Sequence, residues 1–222
     1  PHIVLIVLFF LIYITIKKLF FKKKIILNKN IFIFVVFLLI YPLPVLAHNF
    51  TGMVGFYDGI SHPVLGFDHF LAMISVGIVS AQIGGRAIWT VPTTFVSIMT
   101  IGGLFGFFLI IDEFFFVEVG IVFSVILLGF GISIEKKIPT NLIMVFVGIF
   151  GLFHGIAHGI EVPAAANPLL FVLGFVCGTT ALHIFGVGIG YFSIKTTASL
   201  ILLRLTGILF GVYGIYLLSQ IL

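Results

Sequence analysis

Two short clusters of ionisable residues interrupt the apolar stretches of this sequence. One lies in "HPVLGFDH" and the other in "FHGIAHGIE"; their ionisable members are His62, Asp68, His69, His154, His158 and Glu161. Imidazole and carboxylate together form a ligand set suited to borderline divalent ions such as Ni²⁺, Co²⁺ or Zn²⁺. A cysteine-rich structural zinc site is not favoured, because the sequence holds one cysteine, Cys177. The two clusters are therefore candidate metal ligands.

The spacing within each cluster is compatible with a helix. His154, His158 and Glu161 stand at i, i+4 and i+7, which is one helical face. His62 and His69 would align in the same way if a single helix held both of them. Asp68 would then point about 120° away from that line, as expected of a partner that fixes an imidazole tautomer rather than of a direct ligand. The alternative is that each histidine caps a helix or hydrogen-bonds to a neighbour.

The composition indicates where these clusters must lie. The chain is 61% hydrophobic and 8% charged, with a mean hydropathy of +1.37, whereas soluble domains are roughly 25% charged. The apolar residues form runs of about 20, the length that crosses roughly 30 Å of hydrocarbon. The sequence thus predicts an all-α, polytopic membrane helix bundle in a lipid bilayer. Its basic residues separate the apolar runs, which is typical of topology signals and not of a nucleic-acid surface.

About six spans follow residue 48, and the charges between them alternate. The predicted spans are residues 62–82, 87–111, 115–134, 138–160, 168–191 and 197–219. Arg86, Lys136, Lys137 and Lys195 occupy alternate connections, and the other connections lack lysine and arginine. The positive-inside rule places the basic connections in the cytoplasm. Both ionisable clusters are then predicted in the outer, periplasmic halves of their spans, at a similar depth in a bacterial inner membrane.

The N-terminal part divides into two predicted segments. Residues 1–27 are an apolar, lysine-rich extension to which no role is assigned. Residues 28–47 end in "PLPVLA" and are typical of a signal peptide cleaved after Ala47, with an uncleaved anchor helix as the alternative. Cleavage would leave His48 as a periplasmic N-terminus and a further candidate metal ligand. Residues 48–222 form the predicted six-helix permease domain.

One further histidine, His183, lies about 15 residues into the fifth span. We interpret it first as a core histidine satisfied by neighbouring groups, with a second ion station as the alternative. Thr179 and Thr180 precede it by about one turn. Glycines at every fourth position, such as Gly151, Gly155 and Gly159, predict helices that approach closely in lipid. Such packing would bring spans one and four together.

Three motifs, "HPVLGFDH", "GGRAIWTVP" and "FHGIAHGIE", occur in this order and resemble the HupE/UreJ family over about residues 47–222. The resemblance implies a bacterial inner-membrane secondary permease for nickel, associated with hydrogenase or urease maturation, with cobalt proposed for some members. The HX5DH motif of the family falls on His62, Asp68 and His69. Its second motif falls on His154, His158 and Glu161.

The predicted function is therefore transport and not catalysis. We expect a permease that collects Ni²⁺, or Co²⁺, from the outer side, with no permanently bound cofactor. Selection must be strong enough to choose the ion and weak enough to release it. The alternative is an intramembrane metal-dependent hydrolase, in which three ligands hold zinc, an open position activates water, and Asp68 or Glu161 transfers the proton. A metal sensor or partner-binding subunit is a third hypothesis.

Overall fold

The computed structural model describes residues 55–109, 115–134, 138–162 and 167–222, and the regular structure within these ranges is helical. The helices are α1 (Phe56–Leu65), α2 (Phe67–Ile83), α3 (Ala87–Phe108), α4 (Phe115–Ser133), α5 (Thr140–Ile160), α6 (Pro168–Ser193) and α7 (Thr197–Ile221). Helices α3 to α7 are each long and apolar enough to cross a membrane. The predicted signal peptide and His48 lie outside the described residues.

Helices α1 and α2 replace the first predicted span. Together the two helices are long and apolar enough to form one further span, but their axes differ by 83°. The prediction of an all-α membrane bundle is confirmed, but the first predicted span, residues 62–82, consists of two helices, so His62 and His69 do not share one helix. The break lies at Gly66, whose extended backbone has φ −75° and ψ 105°. Glycine disfavours a helix interior, and here it also leaves room for its neighbours, since a Cβ would lie 3.2 Å from His69 Nδ1.

Closely packed glycines join the helices into groups. Helices α3 and α5 approach until a Cβ on Gly155 or Gly159 would collide with a carbonyl oxygen of α3. In the same way Gly59 of α1 meets the backbone of α6, and Gly77 of α2 meets the carbonyl oxygen of His183. Small residues that allow such approach are the usual interface of membrane helices. We name these two groups the α3–α5 group and the α1–α2–α6 group.

Helices α4 and α7 form a third pair, in which Gly129 packs against Gly211. Two interhelical hydrogen bonds lie at the end of the bundle where α2, α4 and α6 end. They join α2 to α4 and α4 to α7. Gln82 Nε2 donates to the Ile132 carbonyl oxygen at 2.9 Å, and Ser133 Oγ donates to the Arg204 carbonyl oxygen at 2.9 Å. We call this the basic end, because the α2–α3 turn and the α6–α7 turn here carry Arg86 and Lys195.

The α2–α3 turn at the basic end depends on two glycines. Gly84 and Gly85 have φ of 77° and 57°. These positive φ values are energetically unfavourable for residues with a Cβ atom. Nearby, Trp89 is 70% exposed and Lys195 Nζ lies 4.3 Å from the centre of the Tyr191 ring. Exposed tryptophan, tyrosine and lysine are typical anchors at a membrane interface. The two candidate clusters lie at the opposite end of the helices.

Candidate metal centre

Three side chains from two elements form a group that could hold an ion. His62 lies on α1, His158 lies on α5, and Glu161 caps the C-terminus of α5. One ligand atom from each lies within 4.8 Å of the others. His62 Nε2 donates to Glu161 Oε2 at 2.9 Å, and His158 Nδ1 lies 3.7 Å from the same oxygen. We call these residues the outer triad. Because metal–ligand bonds are about 2.1 Å long, the three side chains must close slightly around a bound ion.

Two more imidazoles continue the triad into the bundle. The His69 ring centre lies 4.5 Å from that of His158 and 5.0 Å from that of His154. His154 is fully buried, and its Nδ1 donates to the Phe150 carbonyl oxygen at 2.9 Å. The proton therefore resides on Nδ1, which leaves the Nε2 lone pair available to a metal. Within the described part of the chain, Nε2 of both His69 and His154 has no hydrogen-bond partner.

Asp68 orients His69. Its Oδ1 accepts from the ring Nδ1 and from the backbone N–H of His69, both at 2.8 Å. A carboxylate in this position fixes the tautomer and raises the basicity of the other ring nitrogen. The contact is the one expected of a tautomer-fixing partner, although the single helix on which that expectation depended does not exist. His62 and His69 lie on different helices, and their ring centres are 6.4 Å apart.

Glu161 is the most accessible member of the outer triad. Its side chain is 41% exposed, whereas that of His158 is 3% exposed. Burial acts to raise the pKa of Glu161, but the hydrogen bond from His62 and the charges of His62 and His69 outweigh it and lower the pKa. Glu161 is thus held as a carboxylate, the form that binds a cation.

His183 does not match its first interpretation. The side chain is buried, with 2% of its surface exposed, yet neither ring nitrogen has a hydrogen-bond partner among the described residues. It is therefore not a core histidine satisfied by its neighbours. The Phe95 ring separates it from the cluster, with centres 5.4 Å from His154 and 5.2 Å from His183.

Sequence reasoning missed several residues that border the site. Phe95 carries no signal that separates it from the other phenylalanines of the spans. Phe171 and Phe175 contact His62 and His158, with ring centres 5.9 and 4.0 Å apart; their four-residue spacing to Thr179 and His183 could have identified them. Glu118, in the first turn of α4, interacts electrostatically with Asp68 and His69.

Fold and site together define a class of protein: a multi-pass membrane protein with an imidazole–carboxylate cluster at one end of its helices. The sequence model of the family described as HupE / UreJ protein matches residues 36–217. The chain therefore belongs to the HupE/UreJ family of hydrogenase/urease accessory membrane proteins, as its motifs predicted.

A curated relative agrees with this assignment. Protein HupE of Rhizobium leguminosarum bv. viciae is 42% identical over 149 residues, which cover 66% of this chain and 77% of that protein. No solved structure matches the chain.

Proposed function

We propose that this protein is a secondary permease that moves Ni²⁺, or Co²⁺, from the periplasm to the cytoplasm for metalloenzyme maturation. The observation that carries the proposal is the outer triad, in which two imidazoles and a carboxylate lie together beside the buried rings of His69 and His154. Nitrogen and oxygen ligands of this kind suit these ions. Membership in an accessory family supports a role in supplying metal to another protein.

The charge distribution supports a direction of transport. Arg86 and Lys195 lie at the basic end, which the positive-inside rule assigns to the cytoplasm. The outer triad then faces the periplasm of a bacterial inner membrane. Glu161, which reaches water, is the first group to meet an incoming cation, and the buried imidazoles follow.

The triad also provides a way to select the ion. The hydrogen bond from His62 to Glu161 must open before both side chains can bind a metal. Only a cation that binds imidazole well offsets the loss of this bond and of its own water. Alkali and alkaline-earth ions prefer oxygen ligands and gain less from the exchange. Release is possible because the ligands come from separate elements and do not form a rigid cage.

Uptake of ⁶³Ni by cells that express the chain tests the proposal, with Co²⁺ and Zn²⁺ as competitors. We expect uptake above that of cells with an empty vector, and excess Co²⁺ should reduce it, because imidazole and carboxylate ligands suit both ions. Glu161→Gln tests the site, since it keeps the shape of the side chain and removes its charge, and it should weaken uptake at low nickel. Wild-type protein that is correctly inserted but takes up no nickel or cobalt would refute the proposal.

The hydrolase hypothesis gains no support from the family match or from the contacts of the site, so we do not propose it. The same uptake measurement separates it from transport. A hydrolase that loses Glu161 would lose turnover with no change in cellular nickel.

A further inference from the structure

One stripe of α6 runs from the outer triad into the bundle. Phe171, Phe175, Thr179 and His183 recur every four residues and are all buried. Phe171 contacts His62, and Phe175 contacts His158. At 1.5 Å per residue, His183 lies about 18 Å further along α6 than Phe171. The stripe therefore begins at the outer triad and ends at a histidine deep in the bundle, toward the basic end.

The deep end of the stripe is polar, buried and without partners. His183 is 2% exposed and Thr179 is fully buried. Neither the two ring nitrogens of His183 nor Oγ1 of Thr179 has a hydrogen-bond partner in the described ranges. Threonine in a helix usually satisfies its hydroxyl on the carbonyl four residues earlier. Thr94 and Thr206 do so, at 2.8 and 3.0 Å, and Thr179 does not.

An aromatic ring, that of Phe95, lies between this polar pair and His154. The Phe95 ring contacts both His154 and His183. His154 in turn contacts His69, which contacts His158 of the outer triad. Four histidines thus follow one another from the outer triad to the deep end of the stripe, with Phe95 between the last two.

We propose that His183 and Thr179 form an inner station for the transported ion, which receives it from His69 and His154 after the Phe95 ring turns aside. The inference rests on the proposed permease function and adds a second site to it. One imidazole nitrogen and one hydroxyl oxygen bind a borderline divalent ion more weakly than the outer cluster does. Weak binding at the inner station favours onward release to the basic end.

A packing role for these residues makes the opposite prediction. Burying a polar group without a hydrogen bond costs stability, and an apolar replacement of similar shape is neutral or stabilising. If His183 and Thr179 only filled space, His183→Leu and Thr179→Val would leave transport unchanged. If they form a station, both substitutions slow transport while the protein remains at least as stable as before.

The test uses purified full-length protein in liposomes and measures initial ⁶³Ni uptake against nickel concentration, with equilibrium nickel binding and thermal unfolding in parallel. We expect Thr179→Val and His183→Leu to lower the maximal rate about 10-fold or more, as losses of metal partners do. Binding at the outer triad and the unfolding temperature should remain at wild-type values. Thr179→Ser keeps the hydroxyl and should restore most of the rate.

The outcomes distinguish the station from the function on which it rests. Wild-type liposomes that take up no nickel would refute the permease. Wild-type uptake with a normal maximal rate in both Thr179→Val and His183→Leu would overturn the inner station and leave the permease intact. A rate lost equally in Thr179→Ser and Thr179→Val would also overturn it, since the hydroxyl would then not be the group that matters.

Discussion

At the scale of single residues, the site depends on partners that set the state of each ligand. His69 is oriented by Asp68 and His154 by the Phe150 carbonyl oxygen. In each ring the proton on Nδ1 is held by an acceptor, so Nε2 is the atom that would bind the proposed ion. Neither of these Nε2 atoms has a hydrogen-bond partner among the described residues. Affinity should therefore depend on the acceptors as well as on the ligands.

Asp68→Asn tests this dependence. An amide in place of the carboxylate removes the charge that raises the basicity of His69, so nickel affinity should fall by about 10–100-fold. The defect should shrink as external nickel is raised, which a concentration series of ⁶³Ni uptake would reveal. Asp58→Asn is the matched control, because Asp58 accepts from the Gly55 N–H at the start of α1 and asparagine can do the same. Equal defects in both variants would contradict the assignment.

At the scale of helices, the break at Gly66 decides which residues meet. A continuous first span would place His62 one full heptad above His69, on the same helix. The bend of 83° instead carries His62 across to Glu161 of α5. Helical spacing thus places His158 beside Glu161, and the break adds His62 to the outer triad.

Gly66→Ala should consequently weaken ion binding. Alanine favours a continuous helix, and its Cβ would lie 3.2 Å from His69 Nδ1 and 3.5 Å from Asp68 Oδ1. Nickel binding to the purified protein should show a higher dissociation constant. Gly188→Ala is the control, since the same Cβ at that helical glycine meets nothing within 4 Å. A Gly66→Ala variant that binds nickel like the control would disprove the role of the break.

The contact between α3 and α5 makes a separate prediction. A Cβ on Gly155 collides with the Met99 carbonyl oxygen, which cannot move without shifting the helix backbone. Gly155→Ala should lower the unfolding temperature and the yield of monodisperse protein in detergent. Gly148→Ala, on the same helix, brings its Cβ only to 3.7 Å from Thr94 Cγ2, so it should behave as wild type. Similar unfolding temperatures for the two variants would count against tight glycine packing at this interface.

These elements show what the sequence could and could not predict. The five later spans followed from apolar length, and the meeting of α1 and α5 residues followed from the predicted depth of both clusters. The break at Gly66 could not be read from hydropathy, because glycine is common in membrane helices. The positions of Phe95 and His183 next to the cluster could not be predicted either. They depend on how α6 packs against α3 and α5, which the sequence alone does not give.

At the scale of the whole molecule, the site lies between two groups of helices. The α3–α5 group carries Phe95, His154 and His158, and the α1–α2–α6 group carries His62, His69 and His183. Within each group, glycines bring backbones into contact. Helices α5 and α6, which belong to different groups, meet through side chains such as His158 and Phe175 and not through close backbone approach. This arrangement suits a site that opens as one group moves against the other.

The direction of transport depends on which end of the molecule faces the cytoplasm. A reporter fused after Lys195, at the basic end, should behave as cytoplasmic, and one fused after Val162, beside the outer triad, should behave as periplasmic. A phosphatase that is active only outside and a fluorescent protein that is active only inside give complementary readings. The reverse pattern would place the outer triad in the cytoplasm and contradict the proposed direction of transport.

The bend between α1 and α2 has one more consequence, which concerns the lipid. If α2 runs along the membrane normal, α1 lies nearly parallel to the membrane plane. Gly59 of α1 packs against the backbone of α6, so His62 is fixed to a helix that crosses the membrane. Glu161 is fixed in the same way at the end of the transmembrane α5. We therefore expect nickel capture to stay the same in reconstituted vesicles of different acyl chain length, because neither outer ligand moves with the surface as the bilayer thins or thickens.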